Sequence, residues 1–283
     1  MIEREKPDYD DIIVKHIVKL IKTNPTLNDK YFSATKNRKY SLENYLYVIL
    51  NVLRTGIPWR FVDKFKITKD IHWNSVYKTF IKIVNDKIIS ECYKTTLLRY
   101  LKDKPATKLN IQYTDTSMIH NKYGEEKVGR NMCHKGKKIT KVSIITDSKG
   151  IPLNAGIYEG NRYDSAILRE QLDDKNTNMI GTEIRKKTFM ADKGYDSSII
   201  REKLKEKGYN VIIPYNKRNT KDKNKEKKLN EKKKKIYRKR VQIEYTFMKM
   251  KRYRRTDVRY DKKKETYETF VMLSLLCILI RSI

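Results

Sequence analysis

Apolar residues recur at three- and four-residue intervals through the first third of the chain, then give way to alternation. Ile13, Ile17, Leu20 and Ile21 share one helical face, and Asn24-Pro25 ends that segment, because proline donates no N–H and disfavours helical backbone in the residue before it. Between Ser41, whose hydroxyl can cap a helix start, and Gly56, which can end one, Leu42, Tyr45, Leu46, Ile49, Leu50 and Leu53 make a second stripe. The period resumes from Asn74 to Leu101 through Val76, Phe80, Val84 and Ile88, with an interruption expected near Ser90-Glu91. Such stripes are core faces. Several short helices in a basic setting also fit a helix-turn-helix, although any small helical bundle gives the same pattern.

After Pro105 the texture changes. Leu109 to Tyr113 alternates, and Lys138 to Thr146 and Ile151 to Glu159 are β-rich runs joined by the turn Asp147-Ser148-Lys149-Gly150, which predicts a hairpin beside a first strand. Tyr163 to Leu172 reads as helix, Lys187 to Ala191 as a short strand, Ser197 to Lys207 as helix and Val211 to Ile213 as strand. Strands first and then alternating strand and helix imply a mixed α/β sheet. From Asn216 to Lys235 the chain is almost wholly polar and rich in lysine, which predicts a solvated loop. The apolar run Val271 to Ile280 is well short of the ~20 residues that cross a bilayer and reads as a core helix. The expected organisation is an all-α region over 1–106 followed by an α/β domain over 107–283, with the Lys-rich loop at 216–235.

Composition adds a partner to this outline. Lys+Arg number 65 against 34 Asp+Glu, a net charge of +31, far more than solubility needs. An AT-rich genome, whose codons favour lysine, explains part of it, and a polyanion such as nucleic acid is the partner the rest points to. The start, Ile2-Glu3-Arg4-Glu5-Lys6, mixes acidic and basic residues and does not read as a signal peptide. Three scattered cysteines, Cys92, Cys133 and Cys277, suggest neither a disulfide framework nor a zinc finger; His120, Cys133 and His134 have no second ligand pair at finger-like spacing and read as loop residues.

Three acidic residues stand out by position. Asp115 is expected at the end of the first strand, Asp192 ends the later strand in Phe189-Met190-Ala191-Asp192, and Glu244 is expected mid-helix; ligands collect at the carboxyl ends of strands in α/β sheets. On that helix Tyr237, Arg240, Glu244 and Lys251 project, at ~100° per residue, to about 0°, −60°, −20° and −40°, one narrow stripe. Ile236, Ile243, Phe247 and Met250 project to about −80° through −140°, so an apolar docking seam borders the polar stripe. A surface helix with ordinary ion pairs gives the same wheel. Asp196 competes with Asp192 as the second carboxylate; Asp192 is preferred because it lies at the strand end, whereas Asp196 is placed to cap the helix starting at Ser197.

The spacing Tyr237-(2)-Arg240-(3)-Glu244-(6)-Lys251 resembles the signature of bacterial insertion-sequence DDE transposases with the YREK motif. Further matches lie in Leu53-Arg54-Thr55-Gly56-Ile57-Pro58-Trp59-Arg60, Asp115-Thr116-Ser117, Ala191-Asp192-Lys193-Gly194-Tyr195-Asp196, and Arg254-Arg255 followed by Arg259-Tyr260-Asp261, in the family's order and most similar to its insertion-sequence-five-like group. The resemblance implies an RNase H-like catalytic domain and a DNA transposase that cuts transposon ends and joins them to target DNA. It implies Asp115, Asp192 and Glu244 as the catalytic, metal-holding triad, and Tyr237, Arg240 and Lys251 as contacts to DNA phosphates. Asp115 would be shared by two metal ions, with Asp192 and Glu244 each completing one. An all-oxygen site suits Mg2+, with Mn2+ as a substitute. The expected partners are double-stranded DNA and a second or further copies of the chain, with no membrane; the expected location is with bacterial DNA, or the nucleus in a eukaryotic or viral setting. The rival readings are a transposase-derived DNA-binding protein without catalysis and another RNase H-like nuclease.

Overall fold

The computed structural model describes residues 9–32, 39–65, 71–103, 110–173, 187–216 and 229–283. The expected boundary at 106/107, the start of the first strand at Leu109 and most of the Lys-rich loop lie outside them.

Five helices come first: α1 (Tyr9–Thr23), α2 (Pro25–Phe32), α3 (Leu42–Thr55), α4 (Trp73–Asn85) and α5 (Ile88–Asp103). The ends of α3 are those the sequence predicts, since Ser41 Oγ accepts from Asn44 N–H and Gly56 takes the left-handed conformation, φ 70°. The break after α4 falls at Asp86-Lys87 and not at Ser90-Glu91. Lys87 has φ 53°, so the reversal is made by a non-glycine residue that the sequence does not flag, and Ser90 and Glu91 lie in the first turn of α5.

A seven-stranded sheet follows, built on β1 (Ile111–Asn121), β2 (Gly129–Asn131), β3 (Lys137–Thr146), β4 (Pro152–Glu159), β5 (Lys187–Met190), β6 (Tyr209–Ile212) and β7 (Val258–Arg259). The β3–β4 hairpin is antiparallel, as expected, and β3 also pairs antiparallel with β1. Parallel pairing joins β1 to β5 and β5 to β6. On the edge of β1 away from β3, β5 covers residues 111–113 and β7 covers 120–121. The stretch 114–119 between them has no strand partner on that edge among the described residues.

The helices α6 (Asp164–Asp173), α7 (Ser198–Glu206), α8 (Glu231–Tyr237), α9 (Val241–Lys251), α10 (Arg254–Asp257) and α11 (Lys264–Ile280) complete the chain. Two cores result. Ile145, Leu168, Leu172, Phe189, Tyr195, Ile200 and Leu204 fill the space under α6 and α7. On the other side one continuous cluster runs from Ile13, Leu53 and Phe80 in the N-terminal helices through Tyr113, Val142 and Ile144 of the sheet to Ile243, Phe270 and Leu276. Its centre is α11, buried nearly all round, as the apolar run predicts. Phe80 and Phe270 stack with centroids 4.6 Å apart and Trp59 joins them at 5.0 and 6.0 Å, contacts worth about 0.5–1.5 kcal/mol per pair beyond the area they bury. Among the described residues no helix is long and apolar enough to cross a membrane.

Candidate active site

The open stretch of β1 holds Asp115. It was expected to end the strand, but β1 runs on to Asn121 because β3 pairs with it as far as His120. What ends near Asp115 is β5. Tyr113 pairs with Met190, and Asp115 and Asp192 each lie two residues further on, so the two carboxylates stand on neighbouring parallel strands at the point where those strands part. Asp192 opens the 3₁₀ turn Lys193–Tyr195 and accepts from the Lys193 N–H at 2.7 Å.

Asp196 belongs elsewhere. It does not cap α7, whose N-cap is Ser197; its carboxylate is buried and binds Arg201 (Nε 2.9 Å, Nη2 2.8 Å) and the Asn216 N–H at 2.7 Å. That anchors the chain after β6 to α7.

Glu244 lies in the first turn of α9, not mid-helix, because the backbone tightens into a 3₁₀ turn at Arg238–Arg240 between α8 and α9. The tighter turn advances each residue by more than 100°, so the uniform wheel does not hold across it. Helix α8 begins at Glu231 with Asn230 Oδ1 capping Lys233 N–H, so the last residues assigned to the Lys-rich loop are helical. Of the expected docking seam, Ile243, Phe247 and Met250 are buried, whereas Ile236, on the other side of the 3₁₀ turn, is exposed. The β3–β4 turn holds α9 in place, with Thr246 Oγ1 donating to Gly150 C=O at 2.6 Å.

Arg240 is the centre of the arrangement. Its Nη1 donates to Asp115 Oδ2 at 2.8 Å and its Nη2 lies 3.4 Å from Glu244 Oε1. Asp115 Oδ1 accepts the Thr116 N–H at 2.9 Å. Side-chain exposure is 17% for Arg240, 25% for Asp115 and 56% for Glu244, so the pair is partly desolvated and the second contact faces solvent. Burial pushes the Asp115 carboxyl up, Arg240 pulls it down, Asp192 pushes it up again, and the net is above the usual value. Burial opposes the Arg240 charge, yet its bond to Asp115 and the acids around it hold its pKa above the ordinary one.

Tyr237 is half-buried on the core, with the Arg240 guanidinium 5.9 Å from its ring centroid, and burial raises its phenol. Lys251 is not brought to the carboxylates; it ends α9 with its ammonium 3.9 Å from Asp257. His120 is a β1 residue and Cys133 and His134 lie in a 3₁₀ turn, so the loop expectation fails for His120.

A second network was not legible beforehand. Asp164, at the start of α6, accepts from Thr116 Oγ1 at 2.9 Å and from Lys141 Nζ at 2.8 Å, and the buried Lys141 also donates to Arg162 C=O at 2.7 Å. An aspartate in a first turn reads as a cap, and nothing in its spacing signals Thr116 or Lys141. The other motifs are structural. Arg255 and Asp261 form a buried two-bond pair at 3.2 and 3.1 Å, and the fully buried Arg259 donates to the carbonyls of Glu126, Asp261 and Lys262 and to Thr140 Oγ1. Gly56 lets α3 approach α10, since a Cβ there would meet Arg254 Cβ at 3.1 Å.

Among the described residues no three carboxylate, imidazole or thiol groups converge closely enough to hold a metal ion as their side chains stand. The donor set nevertheless suits a hard divalent cation: carboxylate oxygens on adjoining elements, with a cationic side chain already lying between two of them.

The fold defines the class first. The chain superposes on the cryo-EM structure of the piggyBac transposase synaptic complex with hairpin DNA with a TM-score of 0.52 at 10% identity, covering 97% of this chain and 73% of that one. The fold is RNase H-like. The Mos1 strand transfer complex aligns at 12% identity over 73% of this chain and 77% of that one, but its TM-score of 0.26 is too low to bear on the fold. None of the curated proteins matches in sequence. The family is given by the Transposase DDE domain, whose profile matches residues 106–280. The chain belongs to that family and is a DDE transposase, an enzyme of metal-dependent DNA cleavage and strand transfer.

Proposed function

We propose that Asp115, Asp192 and Glu244 are the metal-holding carboxylates of this transposase, that Tyr237, Arg240 and Lys251 engage DNA phosphates, and that the chain belongs to the YREK, insertion-sequence-five-like group. The observation that carries the reading is the register match of Asp115 and Asp192 at the parting of β1 and β5, with Glu244 joined to Asp115 through Arg240. Asp115, Asp192 and Glu244 would hold divalent ions, Mg2+ in preference and Mn2+ as substitute, which would supply charge neutralisation for phosphoryl transfer. Asp115 is fixed by strand pairing and by the Thr116 N–H, so it presents one oxygen in a set direction. Arg240, planar and permanently charged, suits two-bond phosphate recognition, and Tyr237 braces it.

The substrate in this reading is double-stranded DNA at the element's ends and then target DNA. The net charge of +31 supports a phosphate-backbone partner, and a helical 1–106 region that helps hold the DNA fits the same charge. Assembly of two or more copies on paired ends and residence with the host's DNA complete the proposal.

The test is Mg2+-dependent cleavage of a duplex carrying the sequences that flank the gene, at fixed salt. Wild type should cut at the element end, while Asp115→Asn and Glu244→Gln should lose about a hundredfold in rate, as loss of a metal ligand predicts, with DNA binding retained when measured without divalent metal. Cleavage at wild-type rate by either variant would refute the assignment of that residue. Binding without cleavage by wild type itself would favour a DNA-binding protein that has lost catalysis.

A further inference from the structure

We infer that Arg240 is an exchangeable counter-ion which makes DNA binding and metal loading of this site cooperative. The inference rests on the assignment of Asp115 and Glu244 as metal ligands.

A guanidinium does not lose its proton in a protein, so Arg240 leaves Asp115 only by exchanging it for another anion. Asp115 Oδ1 already accepts the Thr116 N–H, so Oδ2, which Arg240 holds, is the freer oxygen Asp115 has to offer a cation, and the same guanidinium reaches Glu244 Oε1. A metal ion and Arg240 therefore compete for carboxylate lone pairs. A DNA phosphate and the carboxylates compete in turn for the same N–H groups, and phosphate matches their two-donor geometry. An arriving phosphate draws Arg240 off Asp115 and leaves the carboxylates to the metal. The Glu244 contact, longer and more exposed, gives way first. Without DNA, the protein holds its carboxylates closed on its own side chain.

Linkage makes the effect reciprocal: if DNA tightens metal binding by some factor, metal tightens DNA binding by the same one. The measurement is Mn2+ binding to the full chain, followed by the paramagnetic resonance of free Mn2+, with and without a saturating short duplex, the duplex's own Mn2+ binding being subtracted. For wild type the duplex should tighten binding on the order of 5- to 150-fold, the usual range for coupled ligands. Arg240→Gln should bind Mn2+ more tightly than wild type without DNA and gain much less from the duplex. Lys239→Gln removes the same charge one residue away and sets the size of a bulk charge effect. Should Arg240→Gln not fold, as judged by its melting curve, Arg240→Lys takes its place; one ammonium cannot span both carboxylates, and the coupling should shrink.

Equal Mn2+ affinities for wild type, Arg240→Gln and Lys239→Gln, or a duplex effect the same in all three, overturn the inference. If Asp115→Asn abolishes Mn2+ binding in that case, the carboxylate assignment stands and only the exchange fails. If Asp115→Asn binds Mn2+ as wild type does, the assignment itself fails and takes the inference with it.

Discussion

Tyr195 ends the turn that begins with Asp192, and its hydroxyl is buried beside the Thr116 side chain without a well-formed hydrogen bond among the described residues, with Asp115 and Asp164 in Coulombic reach. Burial and those two carboxylates hold its pKa well above the ordinary phenol value, so it stays a neutral donor. An unpaired buried hydroxyl costs its desolvation, about 1–3 kcal/mol, and replacement by an apolar group of the same shape is neutral or stabilising. Tyr195→Phe should therefore leave the melting temperature unchanged or raise it; a marked fall would show that the hydroxyl is bonded in solution. The candidate site was legible at this scale as far as residue type and spacing carry it, which singled out Asp115, Asp192, Glu244, Tyr237 and Arg240 but also Lys251, whose ammonium lies by Asp257. Thr116, Lys141 and Asp164 were not, because their contacts join β1, β3 and α6 across 23 and 48 positions of chain, and a one-dimensional pattern holds no trace of that.

At the scale of elements, the turn that closes the β3–β4 hairpin also positions α9. Gly150 has φ 78°, and a Cβ on it would come within 2.8 Å of Gln242 C=O and Thr246 Oγ1. Gly150→Ala should cost more than about 1 kcal/mol from backbone strain alone and push α9, with Glu244, off the sheet. Chemical denaturation reads the first effect and cleavage rate the second; a variant normal in both would show that the turn is not what seats the helix. The hairpin and the caps of α3 were readable because turn and cap chemistry is local. The full length of β1 was not: beyond Asp115 it places Thr116 and Ser117 where no strand pairs on that edge among the described residues, so the apolar alternation that marks a strand is missing where the strand borders the site. The tightening at Arg238–Arg240 is also hidden, since basic residues fit either helix type.

For the whole molecule, the N-terminal helices and the sheet are divided by texture in the sequence but not by their core. Leu53, Phe80 and Tyr100 lie in one cluster with Ile144, Phe270 and Leu276, and Tyr100 Oη donates to the buried Asp147 carboxylate at 2.6 Å. Burying side chains of this size contributes about 1.5–3 kcal/mol each, so removal of α1–α5 exposes far more than a domain's net stability of roughly 5–15 kcal/mol can absorb. A fragment starting at residue 107 should show no cooperative melt and should bind hydrophobic dye, whereas the intact chain should melt in one transition. A fragment with a sharp melt would support two separately folding domains.

The carboxylates differ in how they are mounted. Asp115 sits inside an eleven-residue strand held by its antiparallel neighbour, while Asp192 stands on a turn where the sheet has already ended and Glu244 follows the tightened 3₁₀ segment of a helix seated by a hairpin turn. One is built into the frame of the sheet and two are mounted at its margins. An enzyme that first cuts an end and then joins it must grip two differently placed phosphates in succession, and if these three carboxylates do the gripping, any change of grip should fall to the turn after β5 and the start of α9 before it reaches β1.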